Sequence, residues 1–266
     1  MIKDVINATV AAARSLLRNW RALIIFFGLY ILLLVVSYLF LVTREASIWQ
    51  VLLTFLLAIA APVIFFIIQA MGVSYSQRGD GAGALLRRSL GNCWKLILIS
   101  LPIILIAWLF IYLLGRIQPD VTTAVSEAAR AVPTPPRPPA RAPQQSIQWQ
   151  AVLITTLRFL LLYIALPLAA IHLWIATSRE GIIAALKGAG RILARAFAPR
   201  AVLIYVAGLI IFALIPYLLI FTRTPSKNAW LEIALLGARL ALALVFILFG
   251  WVVTLGALSG IATESK

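Results

Sequence analysis

The chain is poor in the residues that carry most protein chemistry. It has one histidine, His172, one cysteine, Cys93, two methionines and eight acidic residues in 266 positions. A lone cysteine excludes an intramolecular disulfide. A lone histidine excludes a multi-histidine metal site, the H-E-x-x-H zinc signature among them. There is no G-x-S-x-G nucleophile elbow and no P-loop. The stretch Gly79-Asp80-Gly81-Ala82-Gly83 is glycine-rich but has no lysine and no preceding strand, so it reads as a loop or a helix start. No carboxylate lies within the apolar runs away from their ends, whereas proton-coupled carriers place an acidic group at depth. The expectation is a protein that is not an enzyme and takes neither cofactor nor metal.

Apolar residues are what the chain has instead. Hydrophobic residues make up 63% of it, charged residues 12%, and the mean hydropathy is +1.04. A water-soluble core cannot absorb that fraction. The apolar residues also arrive in blocks of about twenty, enough to cross roughly 30 Å of hydrocarbon. Blocks bounded by charge and turn residues predict six spans: Ala22 to Val42, Trp49 to Met71, Leu96 to Leu114, Phe159 to Thr177, Ala201 to Phe221 and Leu240 to Leu258. The predicted fold class is all-α, a polytopic helical membrane protein forming a single transmembrane domain. Arg14, Arg18 and Arg21 ahead of an apolar run suggest a signal peptide. That run is too long and no A-x-A site follows, so it is expected to remain as the first span.

The formal charge of +15 is dispersed through short loops rather than gathered in one basic domain. That distribution points to membrane lipids, anionic ones, as partners and away from nucleic acid. With the amino terminus inside, the inner segments hold fourteen Lys and Arg residues against seven in the outer loops. This bias predicts both termini in the cytoplasm. Arginine outnumbers lysine, in keeping with a GC-rich bacterial genome, and the expected location is the bacterial plasma (inner) membrane. The outer segment 118–148 carries seven of the thirteen prolines, including Pro133-Thr-Pro-Pro-Arg-Pro-Pro139. Such a stretch builds no core and is expected to be an extended or disordered tether, with a helical turn at most around Ser126 to Val132.

The chain also repeats itself. Arg14 to Ile25, RSLLRNWRALII, aligns with Arg88 to Ile99, RSLGNCWKLILI, and Arg200 to Ile204 follows Arg21 to Ile25 more loosely. Trp49, Trp149 and Trp230 each precede a returning span, and IATSRE at 175–180 rhymes with IATESK at 261–266. Three parallel units of about 1–71, 72–177 and 178–266 result. Each has a basic amphipathic segment, a span going out, a loop and a span coming back.

At 100° per residue, Ile182, Ile183, Leu186, Leu193 and Phe197 oppose Lys187, Arg191 and Arg195. Near the start, Ile2, Val5, Ile6, Val10, Leu16 and Leu17 oppose Lys3, Asn7, Arg14 and Arg18. The middle copy, Ala84 to Trp94, with Arg87 and Arg88, is shorter. These patterns predict interfacial helices whose Lys3, Arg14, Arg18, Arg87, Arg88, Lys187, Arg191 and Arg195 contact lipid headgroups. The same charges also serve as positive-inside signals, so topology alone is a competing reason for them. Inside the spans, Gln69 and His172 are the candidate polar contacts, His172 as a hydrogen-bond partner between helices. Arg158 and Arg239 are expected to snorkel to the outer interface. Pro62, Pro102, Pro167 and Pro216 interrupt four spans, and Trp49, Trp108, Trp149 and Trp230 suit an outer aromatic belt.

The order Gln69, Ser76-Gln-Arg-Gly79, Ala84-Leu-Leu-Arg-Arg-Ser89, then Trp94-Lys95 and an apolar run resembles a known membrane module. It is similar to the membrane domain fused to some bacterial glycerophosphodiester phosphodiesterases, and to related stand-alone six-span inner-membrane proteins. The similarity covers most of the chain outside the proline loop. No part of this sequence corresponds to the soluble catalytic barrel of those fusions, so the resemblance implies an architecture and carries over no catalytic residue. The expected function is to organise or sense lipid, or to support an envelope assembly, through the basic helices. A small permease or exporter subunit with a path between the repeats is the alternative, and an intramembrane hydrolase or transferase stands third.

Overall fold

The computed structural model describes residues 2–44, 47–78, 82–117, 149–222 and 228–264. Segment 118–148, Gly79 to Gly81, Arg223, Lys227 and Lys266 lie outside these residues, so the expectations placed on the proline segment fall outside them too.

Among the described residues the chain is helical throughout. In order, the helices are α1 (Ile2–Arg18), α2 (Trp20–Val42), α3 (Ile48–Arg78), α4 (Ala82–Ile117), α5 (Trp149–Phe159), α6 (Leu166–Glu180), α7 (Ile182–Lys187), α8 (Ala189–Ala196), α9 (Pro199–Leu209), α10 (Ile215–Phe221) and α11 (Ala229–Glu264). Two π-helical stretches, π1 (Leu160–Ala165) and π2 (Ile210–Leu214), join α5 to α6 and α9 to α10. Six helical stretches are long and apolar enough to cross a membrane: Trp20–Val42, Ile48–Tyr75, Gly83–Arg116, Val152–Glu180, Pro199–Phe221 and Ala229–Ala262. Each contains one of the six predicted spans or matches it to within two residues at either end. Several overrun the prediction, and α11, at 36 residues, reaches about 54 Å, well beyond the hydrocarbon thickness.

Local chemistry sets the breaks. The Asn19 side chain accepts a 3.3 Å hydrogen bond from the Ala22 amide and so caps α2, separating it from α1. Pro199 occupies the first turn of α9, where its missing N–H costs nothing. Each π stretch ends two residues before a proline, Pro167 or Pro216. A proline ring clashes with the carbonyl four residues back, and widening the preceding turn relieves that clash without ending the helix. Pro62 and Pro102 sit inside unbroken α-helices.

The chain divides into two compact units, one of residues 1–101 with 167–266, the other of residues 102–166. In the larger unit, Phe26, Met71, Leu85, Leu96 and Ile99 are fully buried, as are Leu168, Ile171, Leu255 and Leu258. Helix α11 is its hub, with α1, α2, α3, α9, π2 and α10 packed against it. Small residues permit that closeness. A Cβ added at Gly256 would stand 3.0 Å from the Ala12 Cβ on α1, and one at Gly208 on α9 would meet the Thr254 side chain. Polar side chains tie neighbouring helices together as well. Tyr75 Oη donates to the Ser15 carbonyl at 2.8 Å, and Trp174 Nε1 donates to Ser100 Oγ at 2.8 Å.

In the smaller unit Trp108 stacks on Tyr112, ring centroids 5.9 Å apart, and Arg116 donates to Tyr112 Oη at 2.7 Å while its guanidinium lies over that ring. The three residues recur every fourth position and form one exposed aromatic and cationic row along α4. Phe159 and Tyr163 stack likewise at 5.2 Å.

The structure departs from the sequence reading at three helical segments. The predicted helix from Ile182 to Phe197 is two short helices broken at Gly188. The middle basic segment is not set apart from its span, because α4 runs unbroken from Ala82 to Ile117. It buries the stripe Leu85, Ser89, Cys93, Leu96 and Ser100 from its first turns onward. On α1 the expected apolar face is divided. Leu16 is buried beside Ala12 and Ala13, while Ile6, Val10 and Leu17 stay exposed.

Candidate functional site

Helix α6 carries His172, Ile175, Ala176 and Arg179 at spacings of three, four and seven, which places them on one face. Helix α8 and the glycine before it repeat that spacing with Gly188, Arg191, Ile192 and Arg195. These two faces, with Glu180, Ala198 and the late α11 residues Ile261 and Ala262, line one cavity of about 520 Å³. Its size is within the range of small-molecule sites.

The sharp turn between the two faces depends on Gly181. Its φ of +87° and ψ of 168° fall in a region that side chains other than glycine rarely enter, and the residue caps the start of α7. A second break, at Gly188 with φ −89° and ψ 4°, separates α7 from α8, whose Arg191 and Arg195 line the cavity.

Among the described residues the lining is cationic, with three guanidinium groups against the one carboxylate of Glu180. Arg179 is half-buried, and one of its terminal nitrogens donates to the Ser259 carbonyl on α11 at 3.2 Å. That bond places a cation near the C-terminal end of α11, where it meets the negative end of the helix dipole. Arg191 and Arg195 are exposed. His172 is buried, and its Nδ1 lies 3.0 Å from the carbonyl of Leu168 one turn earlier in the same helix. Nδ1 therefore carries the proton in that contact, and Nε2 is the nitrogen left for the cavity. The expected bond from His172 to another helix is replaced by this intrahelical one, because Leu168 sits four residues back on the same face.

Gln69 has a different surrounding. It is buried, and its Oε1 accepts a 2.7 Å hydrogen bond from Trp251 Nε1 on α11, so it joins two helices away from the cavity lining.

The remaining predicted headgroup contacts are scattered over other surfaces. Lys3, Arg14, Arg18, Arg87 and Lys187 are exposed, whereas Arg88 is half-buried. Of the eight, Arg191 and Arg195 line the cavity. Sequence reasoning missed Arg179 as a site residue and treated His172 in isolation. The signal that could have joined them is their shared face with Ile175, seven residues from end to end. Toward the other end of α11, Arg239 Nε donates to the Leu235 carbonyl at 3.3 Å. Among the described residues no cluster of three His, Cys, Asp or Glu side chains could hold a metal.

A helical chain with six apolar crossings and a cationic cavity walled by α6, α8 and α11 is a multi-pass membrane protein. Compared with protein-family models, with curated proteins and with solved structures, it has no match.

Proposed function

We propose that the protein is a non-enzymatic component of the bacterial inner membrane, with both termini in the cytoplasm, that organises or senses anionic lipid. On this reading its basic helices collar the cytoplasmic face, alone or as part of an envelope assembly. The observation that carries the reading is the pairing of exposed apolar and exposed cationic side chains on the same short helices. On α7 and just beyond α8, Ile183, Leu186 and Phe197 are exposed together with Lys187, Arg191 and Arg195. On α1, Ile6, Val10 and Leu17 are exposed beside Lys3, Arg14 and Arg18. In water such apolar exposure is unfavourable. At the headgroup boundary the apolar chains enter the acyl region and the cations meet lipid phosphate, each adding about 1 kcal/mol near an anionic surface. The fourteen-to-seven inner bias of basic residues supports the same orientation. The likeness of the Gln69 to Lys95 stretch to the six-span membrane module belongs to this proposal as an architecture.

The test is the lipid retained by the purified full chain. With Lys3, Arg14 and Arg18 on α1 changed to Gln, the anionic fraction of the co-purified lipid should fall several-fold. An unchanged fraction sinks the collar.

A small permease or exporter subunit is the second reading. It is favoured by the π stretches in two spans, a feature frequent at functional positions, and by the cavity itself. Flux through proteoliposomes that responds to His172→Gln would support it, and an equal flux in the variant would count against it.

A further inference from the structure

Resting on the reading of the chain as an anionic-lipid binder, we propose that the cavity behind α8 is a specific site for one phosphate group. The phosphate belongs to a lipid headgroup or to a free anion of the same chemistry, and Arg179, Arg191, Arg195 and His172 are the residues that meet it.

Four observations converge on this assignment. Among the described residues the cavity has three guanidinium groups in its lining and one opposing carboxylate, Glu180, so the lining concentrates positive potential that an anion relieves. Guanidinium is also the side chain whose planar fork fits phosphate oxygens two at a time.

The second observation concerns Arg179, which is held in place before any ligand arrives. Its bond to the Ser259 carbonyl uses one of five N–H donors and fixes the head of the side chain. A donor already immobilised loses less entropy on binding than a free surface arginine.

Third, His172 sits buried in the lining with Nδ1 committed to the Leu168 carbonyl. Nε2 can accept from a hydroxyl when the ring is neutral or donate to a phosphate oxygen when it is charged. Both partners occur in one molecule when a phosphate bears a hydroxylated headgroup such as glycerol.

The fourth observation separates this cavity from a simple ion site. Ile175, Ile192 and Ile261 share the lining with the cations. A bare anion gains nothing from apolar walls, whereas the glycerol backbone and first methylenes of a lipid do. Those walls favour the lipid as the source of the phosphate.

The site shares Arg191 and Arg195 with the collar and differs from it in its other residues and in count. Lys3, Arg14, Arg18 and Lys187 are exposed and are absent from the cavity lining. The collar predicts many loosely held lipids, and the cavity predicts one.

The deciding experiment is native mass spectrometry of the full chain in detergent, titrated separately with phosphatidylglycerol, phosphatidylcholine and inorganic phosphate. One phosphatidylglycerol per chain should bind at least tenfold more tightly than phosphatidylcholine, a difference of about 1.4 kcal/mol. The double change Arg191→Gln with Arg195→Gln should weaken that single site tenfold or more. The triple change Lys3→Gln, Arg14→Gln, Arg18→Gln should leave it intact while reducing the loosely held lipid. Arg191 and Arg195 are exposed, so their variant is expected to keep the wild-type melting temperature; should it melt lower, Arg191→Lys with Arg195→Lys serves instead. That pair retains the charge and loses the fork, and should weaken the site by less than the glutamines. Saturable phosphate binding without a bound lipid would support the site and assign it to a free anion. Equal affinity for the two lipids together with no phosphate binding overturns the proposal. So does equal loss in the cavity and α1 variants, which would leave the collar standing. A failed collar with an intact single site has the opposite signature.

Discussion

Trp251 Nε1 donates a 2.7 Å hydrogen bond to Gln69 Oε1 across 182 residues of sequence, joining the interiors of α11 and α3. In hydrocarbon neither group has water to fall back on, so each depends on the other. Gln69→Leu should lower stability by about 1 kcal/mol by leaving the indole N–H without an acceptor. Gln69→Glu, protonated in that setting, keeps an acceptor and should cost less. Thermal melting in detergent, followed by tryptophan fluorescence, checks the ranking, and equal melting of the leucine variant and wild type would refute it.

Gly208 and Gly250 lie where the fifth and sixth spans pack tightly against each other. A Cβ at Gly208 would run into the Thr254 hydroxyl, with the Thr254 methyl 2.8 Å away. A Cβ at Gly250 would lie 3.2 Å from the backbone nitrogen of Phe212 inside π2, and backbone cannot swing aside as a side-chain end can. Gly250→Ala should therefore destabilise by about 1–3 kcal/mol. Gly190→Ala, where the space is open, should be neutral or slightly stabilising. Comparing the two melting temperatures separates steric cost from the general effect of losing a glycine.

Gly181 holds the turn from α6 into α7 at φ +87°. Gly181→Ala places a Cβ in strained backbone at a cost of about 1–3 kcal/mol, even though no neighbour crowds it. The strain is relieved by redirecting α7 and α8, which carries Arg191 and Arg195 away from Arg179. The expected result is a loss of single-lipid retention larger than the fall in melting temperature would suggest. Retention that tracks melting alone would refute this coupling.

Orientation is tested with the chain's one cysteine removed. In a Cys93→Ser background, Ser47→Cys should react with an impermeant maleimide in intact cells. Gly190→Cys, whose added Cβ meets nothing within 4 Å, should react only after permeabilisation. Reaction of both in intact cells would overturn the assignment of α8 to the cytoplasm.

Much of the architecture was legible in the residues, and much of the site was not. All six crossings could be placed because about twenty consecutive apolar residues have few other stable solutions in a chain this hydrophobic. The helix ends were less legible. Hydropathy reports where charge begins, whereas α4 and α11 continue through polar residues for as long as backbone hydrogen bonds and side-chain contacts favour it. The π stretches were invisible, since the prolines that accompany them at Pro167 and Pro216 also occur at Pro62 and Pro102 without any widening.

The sequence by itself determined the solvent of this protein and the number of its apolar crossings, because those follow from the transfer energies of consecutive apolar residues. Only the tertiary structure decided which polar groups meet. Gln69 and His172 read alike in the sequence as lone polar residues near span ends. One became half of an interhelical bond to Trp251, and the other joined three arginines around a cavity. The difference comes from helix rotation and from the turn at Gly181, which depend on contacts between residues far apart in the chain and leave no trace in local hydropathy.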